Sequence, residues 1–219
     1  MYFLFHPISS INHLIARIVT DQITFIISII FFIFLSLSYR NRFWEDLDRS
    51  VFYWTDDAKP GFLKNHAEDF AIFGNAIFHI IFMIILSVIF FIAKHKTSIV
   101  ISILFTLIFS WGLNRLIKLI YKRKRPETIA SNIRKRMSYC FPSGHVMASI
   151  PIYFFSAVLL QNLMGFLPWY IITFVICYFV IASRIFLNHH YFTDILGGIA
   201  MGIFCLNISI WFYFIVGLL

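Results

Sequence analysis

The sequence predicts an all-α integral membrane protein, a bundle of about six transmembrane helices with an interfacial helix at the N-terminus. Two observations predict it. Hydrophobic residues fill 60% of the 219 positions and charged residues 13%, with a mean hydropathy of +0.84, far from the balance of a soluble globular domain. The apolar residues also come in unbroken runs, close to the roughly 20 residues that cross a ~30 Å hydrocarbon core. The runs are Ile23–Leu37, Phe70–Ala93, Ser98–Ile117, His145–Leu163, Leu167–Ala182 and Phe192–Val216. The first and fifth are the weakest. A closed barrel is the other way to satisfy every backbone group in a bilayer, but it needs alternating strands, and these runs do not alternate. The 28 phenylalanines and abundant isoleucines suit lipid-facing helices.

Before the first run, Ile8, Ile11, Leu14, Ile15 and Ile18 recur at helical spacing opposite Ser9, Asn12, His13 and Arg17. This suits an amphipathic helix on the membrane surface; a plain extension of the first span fits nearly as well. The run itself is apolar enough for a signal peptide. The polar Tyr39–Trp44 that follows lacks a small-x-small cleavage site, so the run is read as a retained span. The 39–69 loop holds Trp44, Phe52, Tyr53, Trp54 and Phe62, an interfacial aromatic belt that either covers a substrate's entry or only anchors the chain. Asn75 and His79 are expected to face the bundle or the headgroup boundary. Gly198 and Gly202 form a GxxxG in the last run, with close helix packing near the site expected and a dimer face as the alternative. Cys140, Cys177 and Cys205 match no metal-ligand spacing and imply no disulfide. Cys177 and Cys205 read as small apolar residues, and Cys140 as inert packing rather than a reactive thiol. Residues 1–219 form one membrane domain, with 1–69 as its N-terminal part and 70–217 as its core.

Three short blocks stand out of this background. Lys118 is followed by Arg125-Pro126, then by Pro142-Ser143-Gly144-His145. Ser183-Arg184 then precedes His190 and Asp194 at the spacing SRxxxxxHxxxD, making eleven positions within 77 residues. Three permanent cations, two imidazoles and a carboxylate are costly beside a bilayer unless something anionic offsets them. Each block has an ordinary explanation alone: a snorkelling lysine, a solvated arginine, a helix cap beside a structural histidine, a surface His–Asp contact. Their occurrence together, in this order, favours phosphate chemistry. If the third helix continues, Lys118 and Arg125 lie about two turns apart on one face, and Pro126 marks the chain leaving it. Ser143 is a good N-cap, and Gly144 lets backbone approach a ligand closely. The N–H groups of that helix start form an anion site, with His145 in the first turn. His190 and Asp194 share a helix face if the last helix has begun by then. The carboxylate then holds one ring nitrogen as N–H and leaves the other a free lone pair. His189 misses the spacing and is expected to point elsewhere.

The pattern resembles the signature of the type 2 phosphatidic acid phosphatase superfamily in every block, over roughly residues 70–217; the first 69 residues match only loosely. The resemblance implies a membrane lipid phosphatase with His190, His145 and Asp194 as catalytic residues and Lys118, Arg125, Ser143, Gly144 and Arg184 as phosphate-binding ones. The residues themselves read the same way. The cations, Ser143 and the Gly144 N–H hold the phosphoryl oxygens, His190 attacks phosphorus, and His145 serves the leaving group and then water. No acidic cluster suited to a metal is evident, since Asp194 is engaged and Glu127 stands alone; hydrolysis without metal or cofactor is expected. The partners expected are the bilayer and a lipid phosphate, not nucleic acid.

Sidedness divides the principles. With six spans, the loops at 39–69, 115–142 and 183–191 share one side and hold 15 of the 18 Lys and Arg, leaving Arg17, Lys94 and Lys96 opposite. The positive-inside rule puts that side in the cytoplasm; the resemblance implies the periplasm or exterior of a cell (inner) membrane. The second reading is adopted, because Lys118, Arg125 and Arg184 belong to the motifs and the 39–69 loop has seven acids against five bases. The remaining charge at Lys122–Lys124 and Arg134–Arg136 either meets anionic headgroups or is solvated. Among substrates, undecaprenyl diphosphate is the first expectation, by analogy alone; phosphatidylglycerol phosphate, phosphatidic acid and lipid A phosphates stay open. A lipid-phosphate transporter or scaffold is the non-enzyme alternative, and it has no need of His190, His145 and Asp194. Vanadate-dependent haloperoxidases share the motif set, but their soluble architecture does not fit six spans.

Overall fold

A computed structural model describes residues 11–58, 61–94, 96–126, 139–164 and 168–218, and among these every regular element is helical. Ile8, Glu127, Arg134–Arg136 and His95 of the Lys94–Lys96 turn lie outside them. The helices are α1 Ile11–Ser38, α2 Arg42–Asp57, α3 Phe62–Asn65, α4 Ala67–Ile72, α5 Ala76–Lys94, α6 Thr97–Tyr121, α7 Gly144–Met164, α8 Pro168–Phe186 and α9 Phe192–Leu218. By length and composition α5 to α9 can each cross a membrane, and α1 with α2 makes a sixth candidate only as a pair bent by 93°. The chain is thus a multi-pass helical membrane bundle. Residues 11–38 form one helix without a break, so the helical spacing before the first span continues into that span's own helix.

The bundle is built around α7, whose residues from Val146 to Leu159 are almost all buried. Its closest neighbour is α9, and Gly198 and Gly202 are the reason. A Cβ on Gly198 would stand 3.0 Å from the Ser143 carbonyl oxygen, and one on Gly202 3.0 Å from Ile150 and 3.1 Å from the Met147 carbonyl oxygen. The GxxxG groove is therefore filled from within the chain by α7, which corrects the alternative of a dimer face. On α6, Ser102, Thr106, Ser110 and Asn114 recur every four residues and are all buried. The three hydroxyls bond the carbonyls one turn back, so they add no unsatisfied polar group to the interior. The outer faces are apolar, as on α5, where Ile77, Ile81, Ile84, Ile85 and Val88 are all exposed, as a lipid-facing surface requires.

Two boundaries differ from the sequence reading. The second run breaks at residues 73–75, leaving α4 before the turn and α5 after it. The 39–69 loop is largely helical, and α2 lies nearly perpendicular to α1. The Lys64 ammonium finishes α2 by donating to the carbonyls of Thr55, Asp56 and Ala58 at 2.8–3.0 Å, where a cation meets the negative end of the helix dipole.

Candidate active site

The three blocks converge at one end of the bundle. Arg125, His145, Arg184, His189 and His190 line a cavity of about 370 Å³, with Glu68, Ala71 and Ile72 of α4, Asn75 and Leu187 completing its walls. Lys118 is half-buried at the end of α6, and its charge acts on Arg125, Asp194 and both block histidines. Such a concentration of cations in a buried pocket is suited to an anion.

The first block reaches the site by a route the spacing did not foresee. Helix α6 stops at Tyr121 because Lys122 turns left-handed (φ 47°) and its N–H bonds the Lys118 carbonyl, an αL helix stop. Lys118 and Arg125 therefore do not share a helix face. Arg125 comes in on an irregular segment that the Cys140 N–H pins at the Arg123 carbonyl (2.9 Å), with the Cys140 thiol on the carbonyls of Arg123 and Lys124. Cys140 is fully buried, and burial pushes its thiol far above the ordinary range, which suits packing and not reactivity. Arg125 donates to the His189 carbonyl at 2.7 Å, and burial lowers its pKa.

In the second block, Ser143 stands before α7, but its hydroxyl does not cap. The buried Oγ has no hydrogen-bond partner among the described residues, while the Ser143 N–H donates to the Asp194 carbonyl at 2.9 Å. A buried unpaired hydroxyl in a helix start is a group to be explained, and an anion at the N–H groups of α7 would explain it. Asn114 supports the loop from α6, donating to the Pro142 carbonyl (3.3 Å). A Cβ on Gly144 would stand 2.8 Å from its Oδ1. Gly74 touches His145, since a Cβ there would be 2.9 Å from the Cβ and Cδ2 of that ring.

The third block pairs its residues differently from expectation. Helix α9 starts at Phe192, so His190 precedes it and no shared helix face aligns the pair. The turn that opens α9 does: the Tyr191 N–H donates to Asp194 Oδ2 (3.0 Å), the carboxylate half of a capping box, and the Asp194 N–H bonds the Tyr191 carbonyl (3.1 Å). His190 Nδ1 then lies 3.4 Å from Asp194 Oδ2. That is within ion-pair range but outside hydrogen-bond geometry, and Nδ1 has no hydrogen-bond partner among the described residues. Burial lowers the His190 pKa to about 4, against the opposing pull of Asp194, so the imidazole is neutral at pH 7. His189 is also among the residues that line this cavity, and its carbonyl is the acceptor for Arg125. Asn75 also reaches the cavity wall, while His79 turns into the bundle, 3.3 Å from the Ser149 hydroxyl.

Sequence reasoning gave no role to Glu68, Asn114 and Asp48, and the reading of Arg123 within Lys122–Lys124 as headgroup-facing or solvated is corrected: its side chain is 12% exposed and pairs with Asp48 and Asp194. Asn114 had a signal, since it extends a stripe of small polar residues at i+4 spacing that leads to Lys118. Asp48 and Arg123 had none beyond being charged, the first in an acidic loop and the second in a basic one.

Fold and site together define a class, a helical membrane bundle with a cavity lined by arginines and histidines at one end. The chain belongs to the PAP2 superfamily, whose description matches residues 99–217, more than half of it. It is also similar to the phosphatidylglycerophosphatase B of Bacillus subtilis (strain 168), 35% identical over 96 residues that cover 42% of this chain and 46% of that protein. The chain thus spans about half the length of the curated relative it matches. The crystal structure of a transmembrane PAP2 type phosphatidylglycerolphosphate phosphatase from Bacillus subtilis superposes with a TM-score of 0.78 at 23% identity, covering 86% of this chain and 95% of that one. That likeness is one of fold.

Proposed function

We propose that this protein is a membrane lipid phosphatase that hydrolyses a lipid phosphate through a phosphohistidine on His190, without a metal. The observation that carries the reading is the single cavity lined by Arg125, Arg184, His145 and His190, with Asp194 behind His190. With Nδ1 turned to Asp194, Nε2 is the nitrogen left for phosphorus. It attacks in line, the P–O bond to the lipid breaks, and His145 delivers a proton to the leaving oxygen. His145 then takes a proton from water as that water attacks the phosphohistidine, which releases inorganic phosphate and frees His190. Lys118, Arg125 and Arg184 neutralise the charge that builds on the equatorial oxygens, and the Ser143 hydroxyl and Gly144 N–H bond them. Binding alone would need the cations but not a neutral, carboxylate-backed imidazole, which favours an enzyme over a transporter or scaffold.

Phosphatidylglycerol phosphate is the substrate we put first. The names of the two relatives support it over undecaprenyl diphosphate, which the sequence alone had ranked ahead. The site faces the periplasm or exterior of the cell membrane in this reading. The test is phosphate release from a panel of lipid phosphates in detergent with EDTA present. Fastest release from phosphatidylglycerol phosphate supports the proposal; release only from a diphosphate lipid returns the first rank to undecaprenyl diphosphate. No release from any lipid phosphate contradicts the enzyme reading.

A further inference from the structure

We propose that Arg123 and Asp48 are positioning residues that lock the Asp194 carboxylate in place beside His190, so that the 39–69 region supplies part of the catalytic apparatus. The inference rests on the reading of His190 as nucleophile. Arg123 Nη1 donates to Asp194 Oδ1 at 2.7 Å and to Thr193 Oγ1 at 2.6 Å, and Nη2 donates to Asp48 Oδ2 at 2.8 Å. Asp48 in turn accepts the Thr193 backbone N–H on Oδ1 (2.8 Å) and the Thr193 hydroxyl on Oδ2 (2.7 Å). The guanidinium lies against the rings of Tyr191 (4.2 Å) and Tyr39 (4.7 Å). The side chains of Arg123, Asp48 and Asp194 are 12%, 3% and 0% exposed.

This geometry does specific work. Asp194 Oδ1 is taken by Arg123 and Oδ2 by the Tyr191 N–H, so the carboxylate cannot rotate, and only one edge of Oδ2 is left toward His190 Nδ1. A planar guanidinium bonds two carboxylates and a hydroxyl at fixed angles, which an ammonium cannot do. Asp48 comes from α2, outside the three sequence blocks, and its carboxylate accepts the Thr193 N–H in the first turn of α9, where the helix dipole favours an anion. A second bond fixes α2 to the same region, from the Thr55 hydroxyl to Asn188 Oδ1 (2.6 Å). The 39–69 region therefore does more than anchor or cover: it holds the cation that holds the orienting carboxylate.

The groups around His190 set the sign of a pH effect. They are Asp194 on α9, Lys118 on α6, Arg125 after it, His145 on α7, Arg184 on α8, Glu68 on α4, the neighbouring His189 and Tyr191, and Asp48 on α2, which borders the same small void. Removing the Arg123 charge leaves Asp48 and Asp194 uncompensated, which favours a proton on His190 or on Asp194. Either moves the acid limb of kcat/KM upward in pH.

The test compares Arg123→Gln, Arg123→Lys and Asp48→Asn in wild-type and Asp194→Asn backgrounds, with Tm, kcat, KM and the pH profile read for each. Arg123→Gln should lower kcat about 10²-fold, the cost of a misplacement of about 1 Å, leave KM nearly unchanged, and shift the acid limb upward. Arg123→Lys, which keeps the charge but loses the fork, should keep the acid limb near its wild-type position while kcat still falls; it also decides the matter if Arg123→Gln does not fold. In Asp194→Asn, neither Arg123 substitution should cost more, because the residue acts through Asp194. Wild-type kcat in a folded Arg123→Lys, or losses that multiply in the Asp194→Asn background, overturns the inference. A His190→Ala control separates the two levels: activity surviving there overturns the nucleophile reading itself, whatever the Arg123 variants do.

Discussion

Gly74→Ala perturbs the site without touching any of the residues that carry charge. Gly74 lies in the turn between α4 and α5, and a Cβ there would stand 2.9 Å from the Cβ and Cδ2 of His145 and from Cγ1 of Val180. Ordinary contacts run from 3.4 to 4 Å, so the neighbours must yield by about 0.5–1 Å in a close-packed region. The backbone of the His145 turn is held by the Ser143 N–H on the Asp194 carbonyl and by Asn114 on the Pro142 carbonyl, so the whole His145 side chain, Cβ and ring, is pushed from its place. A shift on the order of 1 Å at a reacting group costs about 10²-fold in rate, or about 2.7 kcal/mol in the barrier. Stability should change little. Gly74 has no positive φ, so alanine stabilises through the unfolded chain by about 0.4–1 kcal/mol, which offsets part of the strain. Phosphate release in detergent micelles and a thermal melt should show kcat down about 10²-fold with Tm within a few degrees. Gly112→Ala is the control, because nothing lies within 4 Å of a Cβ there. Its kcat should be unchanged, with a gain of roughly 0.5–1 kcal/mol from better helix propensity. Wild-type kcat in Gly74→Ala refutes the reasoning that His145 must sit where Gly74 lets it sit.

Activity should survive EDTA, and vanadate should inhibit by occupying the phosphoryl pocket; loss on chelation that Mg²⁺ restores contradicts the metal-free mechanism. His190, held neutral by burial with its pKa lowered to about 4, should titrate near that pH in histidine-selective ¹⁵N NMR, and a midpoint near 6.5 contradicts the buried geometry. The sign follows for stability: the unfolded chain binds the His190 proton between about pH 6.5 and 4 and the folded one does not, so this contribution is lost as pH falls through that window. For sidedness, single cysteines at Asp57 and Lys96, both exposed, in a background without the native cysteines, can be probed in intact cells with an impermeant maleimide. Labelling at 57 and none at 96 fits an outward-facing site, and the reverse puts the site in the cytoplasm and restores the positive-inside reading.

The helical membrane class was legible because it depends on run length and composition, which are local. The first, third, fourth and sixth runs fall within α1, α6, α7 and α9, the fifth matches α8 from Pro168 on, and the second divides between α4 and α5. The misplaced boundaries have local causes: the turn at 73–75 and the left-handed Lys122 that stops α6. Arg125, His145, Arg184 and His190 meet in one cavity as their order and spacing implied, because each block sits at a helix end. The way they meet was less legible. Asp194 reaches His190 through the turn that its carboxylate closes on the Tyr191 N–H and not across a helix face, and Ser143 uses its backbone rather than its hydroxyl. The buttress of Asp48 and Arg123 joins residues 75 positions apart, and nothing in their local sequence marks them as partners. His189 misses the motif spacing, yet the irregular segment before α9 brings it to the cavity wall, where its carbonyl accepts from Arg125.

The central claim is that His190 carries the phosphoryl group, and trapping that intermediate tests it most directly. Rapid quench in alkali with lipid substrate labelled at the terminal phosphate, followed by peptide mapping, reads the position of the label. The account predicts an acid-labile, base-stable phosphohistidine at His190 in wild type, lost in His190→Ala together with turnover, and retained with only mildly reduced turnover in His189→Ala. Label on His189, or full turnover by His190→Ala, contradicts it.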